Sequence, residues 1–328
     1  MLDVLIIGQG VAGSILAYEL IKKKLDVAII TDPDKSSASL VAAGLIQTIS
    51  GRHLSIAENT IEQINQALIY YKTLEKEFNK NFISPIKCYR FLDDAQLKKW
   101  NQKKQKVPYQ TYLSNKLVQV PNTLNNKLNF IEVFNNFHIN PSILLNEFKS
   151  YFEKKNCIFY DGFTEKDLLL FSDYIQYKAF KSKKIIFCTG HYISDLTFAN
   201  HISFQHVKGE TQTVKIKEDP FNCVYQGSEW IVPFMDDTYK IGATYDHQLT
   251  LNITTKGQSK LSHFITELGL RTKDIVSQQA GIRCVTKERV PLIGAHPTHK
   301  NLLFFSGFGS KGFMTCPYFK DQLIKRYL

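Results

Sequence analysis

The opening stretch of this chain, residues 1–31, limits the possible folds more than any other. Val4-Leu5-Ile6-Ile7 is a short apolar run that stops at Gly8-Gln9-Gly10-Val11-Ala12-Gly13. An apolar helical pattern follows through Ile15, Leu16 and Leu20 and ends in Lys22-Lys23-Lys24. A second apolar run, Val27-Ala28-Ile29-Ile30, comes next. Strand, G-x-G-x-x-G, helix and strand, in this order, are what a dinucleotide site requires. Gly8 allows the tight turn, Gly10 lets a pyrophosphate approach the backbone, and Gly13 lets the helix sit close on the strand. The helix's first free N–H groups and its positive dipole end then face the phosphates. The acidic residue that grips a ribose usually ends the second strand, about 20 residues on. Here that place reads Thr31, with Asp32 and Asp34 just beyond. Either the Thr31 hydroxyl or the Asp32 carboxylate is the expected ribose ligand.

At 328 residues the chain is long enough for one large or two interleaved domains. No apolar run approaches the ~20 residues of a membrane span, so no membrane partner is expected. A core strand begins almost at residue 1, which leaves no room for a signal peptide. Cys88, Cys157, Cys188, Cys223, Cys284 and Cys316 are scattered without metal-type spacing. Reduced thiols, no bound metal and a cytoplasmic location are the expectation. The net charge of +11 admits two readings, an anionic partner such as nucleic acid or a lysine-rich proteome. Lysine far outnumbers arginine and is spread along the chain, whereas phosphate-reading surfaces cluster their charge and include arginine. The second reading is preferred.

Further along, residues 54–78 read as an amphipathic helix, with Ile61, Ile64, Leu68, Tyr71 and Leu74 near one face. Asn140-Pro141 opens another helix, to about residue 155. Residues 157–160, 174–180 and 185–188 read as strands. The last of these ends at Thr189-Gly190-His191, where Gly190 offers a second close approach to a nucleotide. A lone histidine after a strand is more often structural than catalytic, and His191 is read so. From 206 to 245 the pattern turns to period two, which predicts an antiparallel sheet. A helix over 256–268, a strand over 302–305, the loop Ser306-Gly307-Phe308-Gly309-Ser310-Lys311-Gly312 and a final helix complete the chain. The βαβ texture at both ends with an antiparallel insert predicts an α/β fold with an α+β insert. The discontinuous nucleotide domain is expected over 1–78, 141–200 and 276–328, and the sheet-rich substrate domain over 79–140 and 201–275.

Six blocks, GQGVAG, SLVAAG, IIFCTG, WIVP…IGATYD, GIRCVTKERVPLIG and GFGSKGFMTCP, resemble the FAD-dependent amine and amino-acid oxidoreductases, the family of D-amino-acid oxidase, glycine oxidase and sarcosine oxidase. They cover most of the chain in the family's order. The last blocks look most like the oxidoreductase half of the bifunctional enzyme that matures 5-methylaminomethyl-2-thiouridine in tRNA. The resemblance implies FAD as cofactor, held in a Rossmann-like domain split around the substrate domain. It implies that Gly8, Gly10 and Gly13 hold the FAD pyrophosphate, and that Ala42, Ala43 and Gly44 pass near the flavin ring. Gly307, Gly309, Ser310, Lys311 and Gly312 match the loop over the flavin's pyrimidine edge. Backbone N–H groups and a lysine at a helix start suit the negative charge a reduced flavin gathers near N1 and O2.

Arg283 matches the family position that holds a substrate carboxylate, for which a planar fork of donors is well shaped. Arg52 is a weaker candidate for substrate or phosphate. Tyr245 and Trp230 would wall the pocket or pack the core. Cys284 is read as a buried thiol rather than a flavin attachment. The activity implied is oxidation of a C–N bond in an amino acid or secondary amine, by hydride transfer to flavin N5. Imine hydrolysis follows, with reoxidation by oxygen or another acceptor. Two alternatives stand beside it. One is removal of a carboxymethyl group from a modified wobble uridine, with tRNA on the basic surface. The other is a flavin-binding scaffold or redox sensor without turnover.

Overall fold

The strand Leu2–Ile7 pairs in parallel with Val27–Thr31 on one edge and with Phe180–Phe187 on the other. Val4 to Ile7 are all buried. A strand enclosed on both edges and both faces has no use for polar residues, which accounts for the unbroken apolar run. Parallel neighbours need a crossover, and the helix Val11–Lys22 supplies it. In the computed structural model, which describes residues 1–328, this sheet belongs to a first unit made of Met1–Ala42, Pro141–Val207 and Gly281–Leu328. Its strand order is Leu292–Ala295, Leu302–Ser306, Phe180–Phe187, Leu2–Ile7, Val27–Thr31, Ile158–Tyr160. The register aligns Ile7 with Ile30 and Phe187, and Phe187 with Phe304. The five parallel strands therefore run toward one edge, where the next row after Ile7, Ile30, Phe187 and Phe304 is Gly8, Thr31, Cys188 and Phe305, with Thr31 and Phe305 still within their strands. The helix Val11–Lys22 packs on both Pro141–Lys154 and Gly312–Tyr327.

The second unit comprises Ala43–Asn140 and Lys208–Ala280. Its seven-stranded sheet runs Thr272–Arg283, Val207–Ile216, Tyr239–Gly242, Trp230–Pro233, Cys223–Gln226, Lys87–Leu92, Asn129–Val133. One face, with Phe91, Tyr225, Ile231, Tyr239 and Ile241, is covered by Leu261, Phe264 and Ile265 of the helix Thr255–Glu267. The other, with Cys88, Val224, Val232, Ile131 and Val133, packs against Ile49, Leu54, Trp100 and Leu113. No helix of the chain is long and apolar enough to cross a membrane.

Three sequence expectations change. The helix expected over 54–78 forms only as Thr60–Phe78, because Leu54 and Asn59 take left-handed backbone at φ 49 and φ 58. It also sits in the second unit: the buried Glu75 carboxylate accepts the N–H groups of Phe82 and Ile83 at 2.7 and 2.8 Å and so ties the helix to the strand Ile83–Pro85. The first boundary therefore falls after Ala42 rather than at 78, while residues 201–207 join the first unit and 276–280 the second. The single strand expected over 174–180 is a hairpin of Ile175–Tyr177 and Phe180–Phe187, folded at Lys178 with φ 49.

Phe187 is fully buried, and its ring meets Phe163, Phe198 and Phe304 at centroid distances of 5.4, 6.5 and 6.0 Å. Phe187→Ala is expected to cost about 3–5 kcal/mol of stability, read from chemical denaturation.

Candidate functional site

The glycine turn after the first strand is set by close contacts. Gly8 has φ +103, which L side chains rarely adopt, and a Cβ there would stand 2.6 Å from the Cys188 carbonyl oxygen. A Cβ on Gly13 would stand 1.9 Å from the Gly8 carbonyl oxygen. Both places admit glycine alone. Gly10 differs, since its extended backbone, φ −73 and ψ −173, suits any residue. What it leaves clear is the space before the helix, where a Cβ would come within 3.3 Å of Ser39 Oγ and 3.6 Å of Ser37 Oγ. The Val11 N–H donates to Ser39 Oγ at 3.1 Å. Helix geometry leaves the next N–H groups without an intrahelical acceptor.

The neighbouring strand ends add polar groups to the same edge. Thr31 closes the second strand, and its carbonyl accepts the Asp161 N–H at 3.1 Å. Asp32 Oδ1 accepts the Asp34 N–H at 3.0 Å, and Oδ2 lies 3.9 Å from Lys35 Nζ. Gly162 brings backbone up to this carboxylate, since a Cβ there would be 3.3 Å from Oδ2. Lys35 Nζ also stands 4.6 Å from the Tyr192 ring centre. The hydroxyls of Ser36 and Thr189 are buried without a hydrogen-bond partner, and Gly190 beside Thr189 is left-handed at φ +61. Buried hydroxyls normally find partners, so two orphans near one sheet edge mark a place for a polar ligand.

The C-terminal loop approaches the same turn. Gly307 and Gly309 have φ +76 and φ +58, and the Gly309 N–H donates to the Cys284 carbonyl at 2.8 Å. The last helix starts at Gly312, where a Cβ would touch Val11 Cγ1 at 3.1 Å. The N-termini of the first and last helices thus lie side by side. Lys311 directly precedes the second of them, and burial pulls its ammonium below the usual lysine range. Two positive helix ends and a lysine together favour an anion. Ser310 is exposed in this loop. Arg283, half-buried, ends the strand Thr272–Arg283. Two residues before it, Gly281 packs on the short helix Ala38–Val41, with a Cβ 3.2 Å from Val41 Cβ. Cys284 is 7% exposed beside Ser306 Oγ, and burial raises its thiol, so it stays protonated.

Not every expected residue joins this group. Ala42 closes the first unit, with its N–H on the Ala38 carbonyl, whereas Ala43 and Gly44 open the second. Gly44 is left-handed at φ +70, and its carbonyl accepts the Ile139 N–H at 2.8 Å. Tyr245, expected as a pocket wall or core residue, is 61% exposed in the second unit, its ring 5.4 Å from that of His247. Trp230 is half-buried and Arg52 is exposed. Ser36, Ser37, Ser39 and Thr189 were not singled out by sequence. For the three serines the available signal was their spacing around the start of a short helix; Thr189 reads in the sequence only as the end of its strand.

Burial, then the fields of His206 and Lys35, push His191 down to about 4, so the ring is neutral at pH 7. The unfolded chain, near the ordinary 6.5, binds more protons than the fold between these values. This contribution to stability is fully present above about pH 6.5 and is lost as pH falls toward 4. His191→Gln should therefore show a smaller drop in melting temperature than the unaltered chain between pH 7 and pH 5, measured by thermal unfolding.

Comparison with known proteins completes the identification. Residues 3–323 match the DAO family, described as FAD dependent oxidoreductase. Among solved structures, glycine oxidase from Bacillus cereus ATCC 14579 is 17% identical, with a TM-score of 0.82 over 99% of this chain and 96% of that one. Iminodiacetate oxidase from Chelativorans sp. BNC1 is also 17% identical, with a TM-score of 0.80 over 98% and 94%. L-alpha-glycerophosphate oxidase from Mycoplasma pneumoniae, solved with FAD bound, is 18% identical, with a TM-score of 0.78 over 99% and 94%. At such identities the likeness shows the fold, and the family match over nearly the whole chain carries the rest. The chain belongs to the DAO family of FAD-dependent oxidoreductases.

Proposed function

We propose that this enzyme oxidises the C–N bond of an amino acid or secondary amine. The observation that carries the reading is that two of the three neighbours, glycine oxidase and iminodiacetate oxidase, are named for amine substrates. The glycerophosphate oxidase shares the fold too, so the architecture alone does not choose between amine and alcohol. The relatives' names lend no support to a tRNA partner, and the reading stays with a small molecule.

The residues present fit FAD. The Gly8, Gly10 and Gly13 turn leaves a cradle that any Cβ would fill or crowd, in front of a helix N-terminus and the Ser37 and Ser39 hydroxyls. That donor set suits a diphosphate. Asp32 is the ribose ligand in this reading, because Gly162 keeps its carboxylate side clear. The orphaned Ser36 and Thr189 hydroxyls supply further contacts. Within the first unit, Gly307, Gly309, Ser310, Lys311 and Gly312 form the loop that would meet the polar edge of the flavin. Bound there, FAD supplies the two-electron acceptance that no protein side chain offers.

The protein's own work is orientation and charge. Arg283 takes the substrate carboxylate in a two-pronged grip and so fixes the α-carbon. The substrate loses a hydride from that carbon and a proton from nitrogen, leaving an imine that water hydrolyses to a carbonyl compound and an amine. Lys311 and the paired helix ends stabilise the negative charge that arrives with the electrons, which pass on to oxygen or another acceptor.

The test is the absorbance of the purified yellow protein under anaerobic addition of amino acids, N-methyl amino acids and, as a contrast, hydroxy acids and glycerol phosphate. Bleaching by one class of amine is expected; bleaching by a hydroxy compound and by no amine would overturn the reading. Arg283→Ala should raise the amine concentration needed by about 10- to 100-fold, with the colour of the resting protein unchanged. Gly13→Val should emerge colourless and fail to take up FAD, measured by the ratio of flavin to protein absorbance.

A further inference from the structure

Across the seven-stranded sheet, on the face that carries Cys88, Val224 and Val232, one row of directly paired residues runs Thr211, Gly242, Trp230, Gln226, Arg90, Ile131. Arg90, on the strand Lys87–Leu92, is 3% exposed. Its Nη2 donates to the Gly51 carbonyl at 3.0 Å, while Nε and Nη1 are buried with no partner. The nearest polar side chains are engaged elsewhere. Gln226 Oε1 already accepts from Gln47 Nε2 at 3.3 Å and from Cys88 Sγ at 3.8 Å. Asp93, whose field reaches Arg90, spends Oδ1 on the Gln96 N–H at 2.8 Å as the cap of the helix Asp94–Lys103. Arg90 is therefore a buried cation with one neutral hydrogen bond and no carboxylate in direct contact, only the more distant field of Asp93.

A guanidinium does not shed its proton in a protein, so the charge stays where burial penalises it. Water would fill the vacant donors without neutralising that charge. A carboxylate does both. Each guanidinium has two forks, one of Nε with Nη2 and one of Nη1 with Nη2, and Nη2 carries two hydrogens. Whichever hydrogen the Gly51 carbonyl takes, one complete fork is left, and a fork is the shape that grips a carboxylate through both oxygens. The Gly51 carbonyl comes from a surface turn closed by the Ser50–Ser55 bridge, in which Gly51, Arg52 and His53 are exposed. The Lys103 ammonium holds this turn at the His53 and Leu54 carbonyls, at 2.8 and 3.2 Å.

We propose that Arg90 is an anion-binding residue of the second unit, gripping the carboxylate of a small-molecule ligand through its vacant fork. The proposal is separate from the amine-oxidation reading, in which Arg283 holds the substrate carboxylate: the carboxylate at Arg90 belongs to another ligand molecule. The binding itself does not depend on which bond is oxidised.

The test uses the FAD-loaded full chain. Melting temperature and calorimetric titration are followed with glycine, N-methylglycine, acetate and malonate, against equal ionic strength of chloride and of inorganic phosphate. At least one carboxylate is expected to raise the melting temperature saturably, with chloride and phosphate inert. Arg90→Met should weaken that carboxylate's Kd by about 10- to 100-fold, while the unliganded variant melts no lower than the unaltered chain. Arg90→Lys, which keeps the charge and loses the fork, should also bind at least tenfold more weakly, and it decides the matter if Arg90→Met does not fold. Unchanged carboxylate affinity in either folded variant would make Arg90 a structural cation and overturn the proposal. So would a carboxylate series that leaves the unaltered chain unmoved, or a response to phosphate in its place. Flavin bleaching by amines with no Arg90-dependent binding would sink this proposal alone, and Arg90-dependent binding without bleaching would sink only the oxidation reading.

Discussion

The first unit depends on the approach of one helix to one strand. Gly13 sits so near the Gly8 carbonyl that a single Cβ would fall 1.9 Å from that oxygen. The contact fixes how close the helix Val11–Lys22 lies to the sheet, and the helices Pro141–Lys154 and Gly312–Tyr327 pack on that helix in turn. It also fixes where the helix begins. Because the last helix starts against Val11, the place where two positive helix ends meet is a consequence of the same close approach. Packing and electrostatics here share one cause, the absence of a side chain at residue 13.

That cause was legible in the sequence, since the spacing of Gly8, Gly10 and Gly13 between an apolar run and a helical stripe has few other meanings. The C-terminal loop was legible too, though only through resemblance, because a glycine-rich strand–helix turn is ambiguous alone. The extent of the helix before Phe78 was not. Ile61, Ile64, Leu68, Tyr71 and Leu74 fit its stripe, but periodicity does not reveal that Asn59 will adopt φ 58 and stop the helix. Nor does periodicity assign a helix to a unit. That depends on Glu75 reaching the N–H groups of Phe82 and Ile83, a side-chain contact with no signature in the pattern.

The serines show a second kind of blindness. Ser37 and Ser39 matter because a short helix turns their hydroxyls toward the space in front of Gly10, and Thr189 because its strand ends in register with the glycine strand. Their chemistry is ordinary and their position is everything. Tyr245 is the converse case. As an aromatic residue just beyond a sheet strand it reads as a wall or core residue, yet the chain leaves the strand at Gly242 and carries its ring outward.

The second unit buries three cations, and their different treatment makes the argument for Arg90. Lys208 is paired with Glu210 at 3.1 Å, both nearly inaccessible, and Glu210 also accepts from Thr254 and Gln278. Such a pair is tolerated because every charge has an opposite and every lone pair a donor. Lys240 is treated differently: burial brings its ammonium down to about 8, and its Nζ stands 5.0 Å from the Phe234 ring centre. Neither solution serves Arg90. No carboxylate of the chain pairs with it, and a guanidinium holds its proton at any physiological pH. Methionine would fill the same strand position without the charge, and an apolar replacement of a buried charge is often neutral or stabilising. A chain that satisfies Lys208 with such care, and still carries an unsatisfied fork three strands from Lys240, is one whose missing partner arrives from outside.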